Sequence, residues 1–362
     1  MKIIISNYDE IKNPYYGGGG AMSNHKIGKY LAEKNEVMII CGAFKGCRNG
    51  VVEGVFYKHI GIKRFGPILG QIFFSLLLPV FALIENYDLW VENFVPPHST
   101  NFIPIFTNKP VVGVSSLLHA KEFSQKYGIP FYLIENLGLK FYKNILVLSN
   151  EYAKKVQKIN KKAKIVEIPR GVDDAYFEIK GNENNYILYL ARIDIFQKGL
   201  DLLLKAWKKV VYRYPHIKLV IAGNTTFAEE RKFKQIVDQL SLDKNVKYIG
   251  LVKGEKKRTL LSNSLCVISP SRFESFGNSS LETLAAGKCL IVFDIPGYCW
   301  IPENVSVKIK SVNFNLLAVA IERVISNKEL RIKYGKLARN FAENYRWKKI
   351  FKLYEAYFLN VN

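Results

Sequence analysis

Short apolar runs separated by longer amphipathic stretches recur along the chain, the pattern of buried parallel strands alternating with helices that cover them. The first run, Lys2–Ser6, predicts a strand; Gly17, Gly18, Gly19 and Gly20 follow in a loop, and residues 21–34 predict a helix. With a second strand over residues 36–41, the amino terminus reads as a βαβ unit with a glycine-rich first loop. Its glycines lack the GxGxxG spacing, so no dinucleotide fingerprint is present, yet four in succession permit close approach of a ligand. Further strands are expected at residues 89–92, 111–115 and 145–148.

A second series begins after the polar stretch 180–185, which reads as a linker. Strands at 186–190, 217–222, 246–249 and 265–268 alternate with helices at 200–212, 229–240 and 256–262, and helical regions at 316–325 and 328–359 complete the chain. The pattern therefore predicts two doubly wound α/β halves. One apolar run, residues 68–84, is just short of a membrane span and is interrupted by Gln71, Ser75 and Pro79. It reads as a buried helix packed against the sheet. The alternative is a helix seated on anionic lipid, because Lys58, Lys63 and Arg64 precede it.

Length and composition support two cores: 362 residues exceed one ordinary domain, and 49% apolar with 23% charged residues is an ordinary globular balance. Five cysteines form no CxxC pair and no Cys/His metal spacing, which predicts a reduced, cytoplasmic chain without structural zinc. The charge changes the picture more. A net +22 and a pI near 9.6 favour anionic partners. Nucleic acid is not expected, since zinc-finger ligands, an RRM signature and interleaved aromatic-basic runs are all missing from the sequence.

The most informative chemistry follows the strand at 265–268. The segment Pro270-Ser-Arg-Phe-Glu-Ser-Phe-Gly-Asn-Ser-Ser-Leu-Glu places Glu274 and Glu282 on either side of a helix start at Gly277. Unpaired N–H groups and the positive end of the dipole at such a start suit a phosphate. Carboxylates beside a phosphate are better used as acceptors for hydroxyl groups attached to it, and a sugar and a ribose both supply these.

The order of motifs is specific. The glycine-rich loop, Ile168-Pro-Arg-Gly-Val-Asp173, Arg192-Ile-Asp194 with Lys198-Gly199, Ala222-Gly223, Gly250 and finally Glu274-x7-Glu282 together resemble the retaining nucleotide-sugar glycosyltransferases of family 4. The resemblance covers essentially the whole chain. It implies the GT-B fold: two Rossmann-like domains facing a central cleft, at residues 1–172 and 173–342, with a carboxy-terminal helix at about 343–362 returning to the first. It also implies that Arg192 and Lys198 contact the donor diphosphate, and that Phe276, Gly277, Asn278 and Ser279 meet the distal phosphate and sugar. Glu274 would then bind the transferred sugar, Glu282 the ribose, and the backbone around Leu251 and Val252 the base. Gly17 to Gly20 would serve the acceptor or its phosphate.

The implied reaction moves a hexose, with retention, from a UDP- or GDP-type donor to a lipid-linked or polysaccharide acceptor in glycan biosynthesis or protein glycosylation. No Asp-x-Asp occurs in the chain, so neither metal nor cofactor is expected. The expected location is the cytoplasm, peripheral to the cytoplasmic membrane face. Rival readings are a GT-B hydrolase, epimerase or phosphorylase, and a basic nucleic-acid- or membrane-binding protein without turnover. The sequence departs from the family where many members carry a histidine after the strand 111–115: Ser115 and Ser116 stand there, leaving His119 or His98 as candidates. It departs again at Tyr298-Cys-Trp-Ile-Pro302, which replaces a small-residue segment near the donor sugar.

Overall fold

A computed structural model describes residues 1–13, 18–64, 67–95 and 97–361. The chain divides into two compact units, Met1–Arg170 with Lys348–Asn362, and Gly171–Trp347. Each is built on its own parallel sheet.

Unit 1 contains β1 (Lys2–Ser6), α1 (Gly19–Leu31), β2 (Glu36–Gly42), β3 (Gly50–Val52), β4 (Val55–Ile60), α2 (Pro67–Ile84) and β5 (Leu89–Asn93). It continues with β6 (Val111–Ser115), α3 (Ala120–Tyr127), α4 (Phe131–Leu139), β7 (Asn144–Val147), α5 (Asn150–Ile159) and β8 (Lys164–Glu167). The strand order is β3-β4-β2-β1-β5-β6-β7-β8, parallel except where β3 turns back on β4. β1 lies centrally because Ile3, Ile4 and Ile5 are apolar on both faces: Ile4 is paired with Met38 on one side and Trp90 on the other. The chain winds one way from β1 to β4 and the other way from β5 to β8. Right-handed crossovers therefore place α1 on one face of the sheet and α2 to α5 on the opposite face. The closing helix Trp347–Leu359 packs beside α1, with Tyr30 stacked on Phe351 at 4.7 Å and its hydroxyl donating to Glu355 at 2.8 Å.

Two expectations for this unit need correction. Gly19 and Gly20 lie in the first turn of α1 and not in the preceding loop. Glycine is cheap there, because first-turn N–H groups have no intrahelical acceptor in any case. Gly17 lies outside the described residues. The second correction concerns α2, which packs on the sheet along one stripe only. Phe74, Leu78 and Ala82 are buried, but Leu69, Ile72, Leu76, Val80 and Leu83 are exposed. Nor do the three preceding cations act together: Lys58 is paired with Glu85, and Lys63 donates to the Cys47 carbonyl at 3.2 Å.

Unit 2 contains β9 (Tyr186–Leu190), α6 (Leu200–Arg213), β10 (Lys218–Ala222), α7 (Phe227–Gln239), β11 (Val246–Tyr248), α8 (Gly254–Asn263) and β12 (Val267–Ser269). After these come α9 (Asn278–Ala285), β13 (Leu290–Phe293), β14 (Val307–Ile309), α10 (Phe314–Ser326) and α11 (Lys328–Ala342). Its all-parallel order is β11-β10-β9-β12-β13-β14. The winding reverses between β9 and β12, which pair through Tyr189 and Ile268. In an open α/β sheet, the loops leaving the carboxyl ends of the two strands at such a reversal diverge and open a crevice.

Candidate functional site

The two loops that diverge at the β9/β12 reversal are residues 191–199 and 270–277, and they carry most of the motif residues. In the first, the buried Asp194 accepts from the Gln197 N–H at 2.8 Å, folding the chain into a tight turn. Arg192 projects from the turn half exposed, its guanidinium donating to Gln197 Oε1 at 2.9 Å. The turn ends at Gly199, whose φ is +66°; a Cβ there would stand 1.9 Å from the Pro270 carbonyl oxygen, so no side chain is admitted. α6 begins immediately after it.

The second loop is tied to the first by Arg272. Its guanidinium forks onto both oxygens of Asp201 at 2.7 Å each and reaches the Phe196 carbonyl at 2.7 Å, while its backbone N–H donates to the Gln197 carbonyl at 2.9 Å. This planar clamp fixes one loop against the other. The result is a direct contact between Lys198 Nζ and Glu274 Oε1, both nearly buried, with Ser271 Oγ donating to the same carboxylate oxygen at 3.3 Å. Gly277, at φ +81°, turns the chain into α9, whose opening residues are Asn278 and Ser279. An added Cβ at Gly277 would meet Tyr298 Cε1 at 2.7 Å.

Glu282 lies in the second turn of α9, where Lys257 Nζ approaches its Oε2 at 2.5 Å. Tyr176 lies near it; burial, then the Glu282 charge, hold that phenol well above its usual range. Each carboxylate singled out in the sequence thus carries a cation in this structure. A cation and a carboxylate stand together at each position, a pairing that can meet both anionic and hydroxyl groups. Leu251 is exposed and Val252 buried on the loop leaving β11, at the same sheet edge. Among the described residues, no group of three or more His, Cys, Asp and Glu side chains could hold a metal ion.

The segment Tyr298-Cys-Trp lies beneath this loop. Tyr298 is fully buried, its hydroxyl within 2.6 Å of Ser269 and 3.2 Å of Ser280. Trp300 stacks on Phe276 at 4.3 Å and 10°, and its indole N–H donates to the Phe276 carbonyl at 2.8 Å. Phe276 therefore offers only its backbone at the surface, since its ring is buried under Trp300. Sequence reasoning saw these aromatics as a departure and missed their role as a floor. Arg272 stood inside the quoted segment without a role, and Lys257 and Tyr176 were missed, since a partner met only in space leaves no local signal.

In unit 1 the winding reverses between β1 and β5, and the loops leaving those strands carry Gly18 and His98. Gly18 is the N-cap of α1, and space is open where its side chain would be. His98 Nε2 lies 3.1 Å from Ser75 Oγ and 3.4 Å from Asn101 Oδ1, and burial lowers its pKa. His119, after β6, approaches Glu122 at 3.2 Å and packs edge-on against Tyr152. At the position where a histidine was expected from the resemblance, Ser116 donates to Asn93 Oδ1 at 3.1 Å and accepts from Arg170 at 3.1 Å.

Comparison with known proteins agrees with this architecture. Residues 174–341 match the family "Glycosyl transferases group 1". An uncharacterized glycosyltransferase of Methanocaldococcus jannaschii is 28% identical over 176 residues, 47% of this chain and 44% of that protein. The phosphatidyl-myo-inositol mannosyltransferase of Mycobacterium tuberculosis is 26% identical over 208 residues, 53% of this chain and 54% of that protein. The chain thus spans about half the length of these curated relatives. Among solved structures, the sucrose-phosphate synthase of Thermosynechococcus elongatus superposes with a TM-score of 0.82 over 99% of both chains at 17% identity. Anabaena HepE in complex with UDP-glucose gives 0.78 over 100% of both chains at 16% identity. Residues 174–341 therefore resemble the glycosyl transferases group 1 family, within a chain that has the GT-B fold.

Proposed function

We propose that this chain is a retaining, metal-independent glycosyltransferase of the family 4 type, moving a hexose from a UDP- or GDP-type donor to a hydroxyl of a lipid-linked saccharide or polysaccharide. The observation that carries the reading is the contact of Lys198 with Glu274 at the β9/β12 reversal, with Arg192 projecting from the same turn. A diphosphate needs cations, and a sugar needs an acceptor for its hydroxyls; the two stand side by side here. HepE, a structural neighbour, was solved with UDP-glucose, which favours a nucleotide-sugar donor for this chain as well.

In the reaction the bond from the anomeric carbon to the β-phosphate oxygen breaks and a bond from the same face to the acceptor oxygen forms. The acceptor proton passes to the departing phosphate. Arg192, Lys198 and the N–H groups opening α9 stabilise the charge that grows on the diphosphate, which is where differential binding accelerates the step. Glu274 orients the sugar and Glu282 the ribose, and the loop around Leu251 and Val252 takes the base through its backbone. Gly18, Gly19 and Gly20 serve the acceptor, with His119 or His98 beside it. The work is cytoplasmic, with the acceptor presented at the membrane face.

The test is release of nucleoside diphosphate from UDP- and GDP-sugars, with and without extracted lipid-linked saccharide, in EDTA. Release that depends on acceptor and vanishes in Glu274→Ala supports the reading. Equal release without acceptor would make the protein a hydrolase, and interconversion of the free donor would make it an epimerase.

A further inference from the structure

The outward face of α2 is as apolar as its inward face. Leu69, Ile72, Leu76, Val80 and Leu83 follow one another at three- and four-residue spacing, a single stripe of an α-helix. Leu76 is 67% exposed and Leu83 64%, although soluble proteins rarely leave a contiguous apolar patch beyond a few hundred Å² uncovered. Of the helix's two polar side chains, Ser75 is engaged by His98.

This stripe is not isolated. Right-handed crossovers place α2 and α4 on one face of the unit 1 sheet, with the loop from β5 to β6 beside them. The 3-10 turn Ile103–Ile105 in that loop contacts α2, and Phe102 at its start lies 6.0 Å from the ring of Phe141, just after α4. α4 in turn exposes Leu133 and Leu137. The apolar surface therefore runs from α2, across the turn, to α4.

Its charge decides what covers it. Residues 61–143 hold seven lysines and arginines against five carboxylates. All five carboxylates are already engaged: Glu85 by Lys58, Asp88 by the Lys2 N–H, Glu92 by Tyr142 and Asn101, Glu122 by His119, and Glu135 by Lys155. Arg64 ahead of α2, and Lys140 and Lys143 after α4, are exposed and make no ion pair among the described residues. An apolar strip flanked by uncompensated cations complements an anionic lipid surface, where side chains enter the acyl boundary and cations stay with the headgroups. A second copy of the chain would bring +22 against +22. Among the described residues no helix is long and apolar enough to cross a membrane, so α2 would lie on the bilayer and not through it.

We propose that the α2–α4 face of unit 1 is a docking surface for anionic phospholipid membranes. Docking depends on this surface and not on the reaction, so a Glu274→Ala protein docks as well as wild type even if the proposed activity is wrong. The experiment is flotation with vesicles of phosphatidylcholine alone and with vesicles of equal parts phosphatidylcholine and phosphatidylglycerol. The variants are Leu76→Gln with Leu83→Gln, Leu133→Gln with Leu137→Gln, and Arg64→Glu with Lys140→Glu. Each changes exposed positions only, and an unchanged melting temperature certifies the fold. Wild type should bind phosphatidylglycerol vesicles at least about tenfold more tightly than phosphatidylcholine, and each variant should lose about tenfold. Wild type that stays unbound, binding indifferent to lipid charge, or variants that bind like wild type would each overturn the proposal. So would a lipid-free dimer that the leucine substitutions dissolve, which would give the face to a second copy.

Discussion

Replacing Glu92 with Gln tests how the core of unit 1 holds a carboxyl group at the end of β5. The side chain is fully buried and accepts from the Tyr142 hydroxyl, from the Asn101 N–H at 2.7 Å and from Asn101 Nδ2 at 3.1 Å. Burial, the largest influence, raises its pKa from 4.5 to about 7, while those hydrogen bonds pull the other way. An acid whose pKa rises on folding contributes stability that is complete below pH 4.5 and is lost as pH climbs through 7. At about 1.4 kcal/mol per pH unit, that interval corresponds to about 3 kcal/mol. Glu92→Gln is neutral throughout, so its stability relative to wild type should improve by about 3 kcal/mol between those limits. Titrations common to both proteins cancel in the difference. Urea unfolding of the two proteins at stepped pH measures it, read on the transition that the substitution moves. Two curves that stay parallel from acid to neutral pH would refute the reasoning.

Four further outcomes follow from the unit 2 site. Arg272→Lys keeps the charge but not the fork onto Asp201, and should weaken donor binding about tenfold by calorimetry, with Arg272→Ala worse; equal affinity in both would remove the clamp from the site. Trp300→Phe preserves the stack on Phe276 and deletes one hydrogen bond to its carbonyl, so a loss of about 1 kcal/mol in donor affinity is expected, with melting little changed. Gly277→Ala forces a Cβ against Tyr298 at positive φ and should lower stability by about 1–3 kcal/mol in thermal unfolding. Lys198→Ala should depress kcat more than donor KM if, as proposed, its cation opposes charge that develops on a leaving diphosphate; an unchanged kcat would deny it that role.

Much of the fold was legible in the sequence because its signals are local. A short run such as Ile3-Ile4-Ile5, bounded by polar residues, reads as a strand buried on both faces, and the period of residues 200–212 as a helix with one buried stripe. The short β3–β4 hairpin and helices α3 to α5 were not anticipated. β3 spans three residues, and α3, α4 and α5 span eight, nine and ten, too few turns for a helical period to stand out from its surroundings. Of the site, the motif residues were readable by type and spacing, whereas the roles of Arg272 and Trp300 were not, since a clamp or a floor is defined by its partner.

Residue order alone determined that two parallel sheets would form, and that Glu274, Gly277 and Glu282 would flank a helix start after a buried strand. Only the tertiary structure decided that Lys198 meets Glu274, 76 residues away, because that contact depends on β9 and β12 becoming neighbours at a reversal of winding. It alone also decided which half of the apolar α2 the sheet would cover. A helix apolar all round carries no mark of its inward face; the strands it packs against select one, and the other is left to solvent or to whatever binds it.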